Sequence, residues 1–321
     1  MITSASSSRK KSRLDSRILR DLSSAVKGTV LPHEPLSRHT SYGIGGPALA
    51  LIWPLDAGDL KEVLTLSLAG GVPVYFIGSG SNLLVSDDGF HGVVISLAKH
   101  FKTVRIEGTR VYAQSGTMMG HFVKECFKHD LTGVESLIGV PGTLGGAIRM
   151  NAGAYGREIS GFLTALEVMT LEGEEKRYER KDLSFGYRSS SLSADEVLLA
   201  ASFDFPKGDP REIQALRDRA SRSRKSTQPL RFRSAGSVFK NPSPETAAGY
   251  LIDKAGLKGS RRGDAEISPK HANFIINHGN ASSEDVAWLI RLARKSVRER
   301  FGIDLELEIK TLGFPPGHFD A

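Results

Sequence analysis

Hydrophobic positions in this chain recur at two spacings that change along its length. Ala48 to Trp53 is the longest uninterrupted apolar run, and it falls far short of the roughly 20 residues that a membrane-spanning helix needs. Residues 59–69 carry helical spacing, whereas 73–77 and 92–97 read as buried strands, so this stretch is an α/β unit. From residue 103 to about 205 the texture shifts to short strands at 103–107, 110–113, 165–171 and 197–205, separated by glycine-rich turns. That pattern predicts an α+β region with a mixed or antiparallel sheet. The charged stretch 209–227 is helix-compatible and ends before the breaker Pro229, which puts a domain boundary beside it. Further on, Ser282 or Ser283 caps a helix whose Val286, Leu289, Ile290, Ala293, Val297 and Phe301 share one face, and Gly302 closes it. Ile303, Leu305, Leu307 and Ile309 then alternate with Asp304, Glu306, Glu308 and Lys310, as in a half-buried strand. The expected organisation is a disordered basic tail at 1–19 followed by regions 20–98, 99–212 and 213–321, α+β overall.

Composition narrows the class. Of 321 residues, 40% are hydrophobic and 25% charged, an ordinary globular balance long enough for more than one core. The N-terminus is rich in Ser, Lys and Arg but lacks the apolar segment of a secretory signal. Cys126 is the only cysteine. It excludes an internal disulfide or a cysteine-based metal cluster, and its place in the apolar run 122–127 suits a buried thiol in a reducing, cytoplasmic setting. The net charge of +7 raises nucleic acid as a partner, yet it is concentrated in two clusters, around Arg9 to Arg20 and around Arg217 to Arg233. No helix-turn-helix, zinc finger or aromatic RNA-binding signature accompanies them, and an acidic small molecule explains such clusters equally well.

The 34 glycines gather in three loops. The segments 43–48 (Gly-Ile-Gly-Gly-Pro-Ala) and 78–84 (Gly-Ser-Gly-Ser-Asn-Leu-Leu) are compact turns whose amide N–H groups can converge on an anion. The second follows a strand but is no Rossmann fingerprint, because Leu83 stands where the third glycine belongs, and no Gly-Lys-Ser/Thr makes it a P-loop. The third, 139–147 with 151–154, lays small residues along a path that a large flat cofactor could follow.

These loops, in this order, resemble the flavin-binding half of the UDP-N-acetylenolpyruvoylglucosamine reductases, within the superfamily of vanillyl-alcohol oxidase. The longest match outside the flavin half is Ser234-Ala235-Gly236-Ser237-Val238-Phe239-Lys240-Asn241-Pro242, joined by Gly186-Tyr187-Arg188-Ser189-Ser190 and the 305–310 strand. The resemblance spans essentially residues 36–313. It implies a two-part FAD-binding module and a third, substrate-binding domain, with NADPH as co-substrate and UDP-N-acetylglucosamine enolpyruvate as substrate. The oligomeric state is open, with a monomer favoured, and the short apolar runs and missing nucleic-acid motifs point to neither a membrane nor a nucleic acid as partner. FAD contacts fall on Thr40, Gly45, Gly46, Gly78, Ser79, Gly80, Ser81, Asn82, Leu83, Gly139, Val140, Pro141, Gly142, Thr143, Gly145, Gly146, Ala147, Asn151 and Ala152. The loops carry no histidine or cysteine for attachment, so the flavin is expected to be non-covalent.

The same resemblance gives Arg188 the substrate carboxylate, Ser237 the proton donation to carbon, and Glu308 the support of the intermediate, with Glu306 the alternative two residues away. Taken alone, Ser237 is a simple turn hydroxyl and Glu308 a solvated surface residue; the motifs carry the assignment. Tyr187, in an expected strand beside Arg188, is a substrate contact. Lys240, Asn241 and Asn273 are candidates for the phosphates and sugar, although Asn273 and Asn277 flank an apolar run and serve a structural role equally well. Thr227 stands where many relatives carry lysine, so which basic residue meets the diphosphate stays open, with Lys225 two residues earlier as the candidate. Arg149 is bulkier and more charged than the flavin path suggests. The rival within enzymes is another flavin oxidase or dehydrogenase of the same fold.

Overall fold

The computed structural model describes residues 3–154 and 156–320. The chain divides into two compact units: one comprises 1–34, 48–78 and 91–213, the other 35–47, 79–90 and 214–321. Two short segments of the N-terminal third thus cluster with the C-terminal part, although 20–98 reads as one region in sequence. The reason is long-range pairing. Leu83–Val85 runs parallel to Lys310–Leu312, and Tyr42, Ile44 and Leu84 join the core built by the C-terminal helices.

The first unit holds a four-stranded sheet in which Thr29–Pro32 is antiparallel to Ala48–Trp53, while Val74–Ile77 lies parallel to Phe90–Ser96. Helix Ala57–Ala69 starts at Asp56, whose side chain accepts from Asp59 N. Leu60, Val63 and Leu64 of that helix pack into the core shared with Ala50, Ile52, Val93 and Ile95. Helix Thr3–Ala25 occupies the segment expected as a disordered tail; the first two residues of that tail lie outside the described residues. Ile18 and Leu22, four apart, are buried in this core, and that burial stabilises a helix whose charge pattern alone gives no reason to form one.

The antiparallel sheet expected for the middle region is present, in the order Glu175–Glu179, Leu163–Thr170, Glu196–Asp204, Arg110–Gln114, Val104–Glu107. Its edge strand Glu175–Glu179 is nearly all charged and so carries no hydrophobic signal. Phe122, Phe203 and Phe205 pack together beneath it, and Cys126 is buried in the same core, where burial pushes its thiol up to about 12.

In the second unit, Ser283–Phe301 is the expected amphipathic helix. Ser282 and Asp285 form a reciprocal capping box at its start, and Gly302 closes it with φ 68°. The alternation after it is a correction in part. Leu305 and Ile309 are buried while Asp304 and Glu306 are exposed, yet 303–309 forms no continuous ladder; one bridge links Leu307 to Phe239, and the strand proper is Lys310–Leu312. Among the described residues no helix is long and apolar enough to cross a membrane.

Candidate active site

In the second unit the segments 39–46 and 79–83 are folded onto each other by backbone contacts that only glycine permits. Gly80 has φ +64°, and a Cβ there would stand 2.1 Å from His39 O. A Cβ on Gly46 would meet Asp87 O at 2.0 Å, and Gly46 N instead donates to Ser86 O. Thr40 donates its hydroxyl to Ile44 O at 2.9 Å, which tightens the turn that carries Gly45. Ser41, absent from the expected residues, donates to Ser234 O at 2.6 Å and ties this turn to the start of the Ser237 segment. Leu83 is buried in its strand, so only its backbone is on offer, while Ser79 and Ser81 are half-exposed.

In the first unit Gly78 is exposed, and a Cβ on it would lie 2.5 Å from Thr143 Oγ1. Thr143 caps the short helix Leu144–Arg149, and Gly145 N is held by Ser115 O at 2.8 Å. Gly139, Pro141 and Gly146 are exposed, Val140 and Gly145 are half-buried, and Gly142 and Ala147 are buried, so the loop presents bare backbone. Arg149 turns away from that backbone. Its guanidinium donates to the carbonyls of Leu192, Ser193 and Glu196, which accounts for a bulky cation beside the glycine path; burial lowers its pKa, and Glu196 opposes that shift. Asn151 is fully buried with φ 44°, and its Nδ2 donates to Glu158 Oε2 and to Gly186 O. Its Oδ1 is buried with no partner among the described residues. Ala152 N bonds Ala147 O at 2.7 Å.

Tyr187 and Arg188 do not sit in a strand. Phe185–Gly186 pairs with Ser189–Ser190, so the two are the central residues of a tight hairpin turn. Arg188 adopts φ 54°, a left-handed conformation that costs a non-glycine residue on the order of 1 kcal/mol or more. Tyr187 is 48% exposed, and the Arg188 guanidinium lies over its ring at 5.1 Å. Both thus project from the tip, whereas strand alternation would have set them on opposite faces.

The segments that carry Ser237 and Glu308 are bonded to each other in the second unit. Glu308 N donates to Val238 O at 2.8 Å, and Lys240 N to Glu306 O, so the two segments run in register with Ser237 next to the crossing. Gly236, with φ +78°, turns the chain into this stretch. Asn82 donates its Nδ2 to Glu308 O at 3.1 Å and accepts from Lys310 N at 2.9 Å, so the glycine loop itself braces the acid. Glu306 is exposed and ion-paired with Lys240, whereas Glu308 is half-buried and its backbone is bonded to Val238, the residue after Ser237. Asn273, expected at the substrate, is instead 4% exposed. Its Oδ1 accepts from Phe239 N at 2.9 Å and its Nδ2 donates to Phe239 O at 2.8 Å, so both halves of the amide hold the Ser237 segment. Asn277 is equally structural, donating to Tyr42 O and accepting from Gly279 N and Ala281 N. Asn241 Oδ1 accepts from Ala248 N, the first residue of helix Ala248–Lys254, and Lys225 is exposed near the end of helix Pro210–Thr227.

Comparison with known proteins decides the family. A model described as the FAD binding domain matches residues 47–178, and one described as the C-terminal domain of UDP-N-acetylenolpyruvoylglucosamine reductase matches 228–312. The UDP-N-acetylenolpyruvoylglucosamine reductase of Geobacillus kaustophilus is 44% identical over 285 residues, 88% of this chain and 93% of that protein. This chain belongs to the UDP-N-acetylenolpyruvoylglucosamine reductase family. The family's enzyme from Clostridioides difficile is 41% identical over 281 residues, covering 87% of this chain and 92% of that one. A crystal structure of the reductase from Thermus caldophilus superposes with a TM-score of 0.77 at 37% identity, covering 89% of this chain and 99% of that chain. The α+β class and the flavin module expected from the motifs are therefore those of the reductase family. The residues here also fit an FAD. Exposed backbone at Gly78, Gly139 and Gly146 admits close approach, and the orphaned Asn151 Oδ1 is an acceptor that a donor on a bound flavin would satisfy.

Proposed function

We propose that this chain reduces UDP-N-acetylglucosamine enolpyruvate to UDP-N-acetylmuramate, with NADPH as the source of hydride and non-covalent FAD as its carrier, in the making of peptidoglycan precursor. The observation that carries this reading is the pairing of the Ser237 segment with the Glu308 segment, Glu308 N to Val238 O, inside the stretch matched by the reductase C-terminal model. Bound FAD would supply the two-electron chemistry that no side chain here can perform. The chain's own residues meet the charge and the proton. When the terminal carbon of the enol ether gains hydride, negative charge moves onto the neighbouring carbon and its carboxylate. The Arg188 guanidinium meets that carboxylate, and its stabilisation is worth most where the charge is greatest. Ser237 Oγ gives its proton to the carbon, completing addition of hydride and proton across the double bond. Glu308 stabilises and positions the same intermediate, its backbone fixed by Val238 and Asn82.

Tyr187, Lys225, Lys240 and Asn241 are assigned to the sugar and diphosphate. Lys240 already has Glu306 as partner, so it can exchange one anion for another. One chain carries the motifs for both cofactor and substrate, which supports a monomer, and NADPH with a nucleotide sugar supports a cytoplasmic setting. Anaerobic mixing of the reduced holoenzyme with UDP-N-acetylglucosamine enolpyruvate tests the reading. Rapid return of the oxidised flavin spectrum is expected. A flavin that stays reduced with this substrate and reoxidises with oxygen alone would place the chain among the flavin oxidases.

A further inference from the structure

We propose that Asn151 is a positioning residue for Arg188, so that the glycine path of residues 139–147 and the arginine tip are set against each other through one buried amide. The inference rests on the role given to Arg188 above. The Phe185–Ser190 hairpin has two residue pairs, Phe185 with Ser190 and Gly186 with Ser189, and an isolated hairpin of that size does not hold its own shape in water. Its turn also carries a left-handed arginine, which raises the need for outside support. Besides the packing of Phe185 against the core and under Arg180, that support comes from one short stretch of chain. Asn151 Nδ2 donates to Gly186 O at 3.0 Å on the entering strand, and Ser190 Oγ donates to Arg149 O at 2.9 Å on the leaving strand.

Asn151 is itself over-determined. It is fully buried and left-handed, and its second amide hydrogen is held at 2.7 Å by the Glu158 carboxylate, a charge-assisted bond stronger than a neutral one. The amide plane is therefore fixed, and with it the direction in which Gly186 O, and the turn beyond it, must face. Arg149, the residue two before it, is anchored in turn to the carbonyls of Leu192, Ser193 and Glu196. The hairpin tip cannot shift without breaking one of these ties.

Asn151→Ala removes the bond to Gly186 O on the entering strand, while the bonds from Ser190 Oγ to Arg149 O and from Ser191 N to Ser184 O remain. A displacement near 1 Å at a substrate-positioning group costs on the order of 10²-fold in rate. The test uses the FAD-loaded holoenzyme and stopped-flow measurement of each half-reaction for N151A, R188A and the double variant. Reoxidation by the enolpyruvyl substrate should slow by roughly 10²-fold in N151A, well beyond any slowing of reduction by NADPH that the loss of a flavin contact brings. In the double variant the Asn151 change should add almost nothing to R188A, since a residue that acts through Arg188 has no effect once the guanidinium is gone. Amide hydrogen exchange of the holoprotein should rise in 184–191 and not elsewhere. Ser190→Ala should show the same selectivity at smaller amplitude and serves if N151A does not fold. Additive losses, or equal slowing of both half-reactions, overturn the proposal. If R188A itself leaves reoxidation unchanged, the role of Arg188 has failed, and that outcome is distinguished by the R188A arm alone.

Discussion

Replacing Asn273 by alanine should destabilise this protein far more than the loss of a polar surface residue would. The side chain is 4% exposed, and it closes two hydrogen bonds at 2.9 and 2.8 Å to the backbone N–H and C=O of Phe239, which is itself 2% exposed. Alanine cannot replace either bond, and the site admits no solvent to take over. Each buried group left unsatisfied costs about 1–3 kcal/mol, so the pair amounts to about 2–6 kcal/mol. That is a large share of the roughly 5–15 kcal/mol that holds a typical domain folded. The bond from Val238 N to Asn273 O at 2.8 Å is backbone and survives the change, which puts the expected value toward the lower half of that range. Urea unfolding followed by circular dichroism reads it as a drop in midpoint at constant slope.

Asn273→Asp adds a sign that alanine cannot. Its carboxylate would accept from Phe239 N but would face Phe239 O with a second oxygen, so the folded state favours the protonated acid and raises its pKa above the unfolded value near 3.9. Between the two values the folded form binds more protons, and stability therefore falls as pH rises through that window. Asn273→Asp should accordingly be more stable at pH 5 than at pH 8 relative to the parent at the same pH. A variant N273A that unfolds within about 0.5 kcal/mol of the parent, with a raised KM for the enolpyruvyl substrate, would return Asn273 to the substrate and refute the structural role argued here.

Ser237→Ala should leave FAD binding and reduction by NADPH nearly intact while slowing flavin reoxidation by the roughly 10² to 10⁴ that general acid catalysis supplies; equal slowing of both halves in stopped flow would make the hydroxyl structural. Gly80→Ala forces a Cβ to within 2.1 Å of His39 O at φ +64°, so the purified protein should lose flavin on gel filtration, and full retention of colour would show that the loop can move aside. Acid precipitation should release all the FAD into the supernatant, since colour left in the pellet means a covalent link. Steady-state plots should show the parallel lines of ping-pong kinetics with inhibition by excess substrate, and intersecting lines would mean that NADPH and substrate bind together.

Elements whose information is local were legible in the chain. The Ser283–Phe301 helix follows from its three- and four-residue spacing, its serine cap and its closing glycine, all within one stretch of sequence. The strands Val74–Ile77, Arg110–Gln114 and Glu196–Asp204 follow from runs of apolar residues, and Ala57–Ala69 from helical spacing. The three glycine loops were legible for the same reason: a residue without a Cβ is needed where backbone meets backbone, as Gly46 and Gly80 show. The motif around Ser237 located a segment of the reductase C-terminal domain because it is long and contiguous. What it did not contain is the partner of each residue.

Asn273 read equally as a ligand for sugar, being polar and beside a turn, and as a structural residue flanking an apolar run; whether its amide faces a substrate or Phe239 depends on a backbone 34 residues away. Tyr187 and Arg188 read as strand because nothing in Phe-Gly-Tyr-Arg-Ser-Ser announces a left-handed arginine, a conformation supported by ties from Asn151 and Arg149 rather than by local preference. The 303–309 alternation is right for Leu305 and Ile309, which are buried, but Ile303 and Leu307 are only half-buried, as is Glu308; hydrogen bonding is a property of the neighbours, and Phe239 forms a single bridge there, at Leu307. The same holds for 35–47 and 79–90, which join the C-terminal core through Tyr42, Ile44 and Leu84. Periodicity and side-chain size are written residue by residue, so the chain carries them; the pairing of buried polar groups is a long-range accounting that exists only once the backbone has closed on itself.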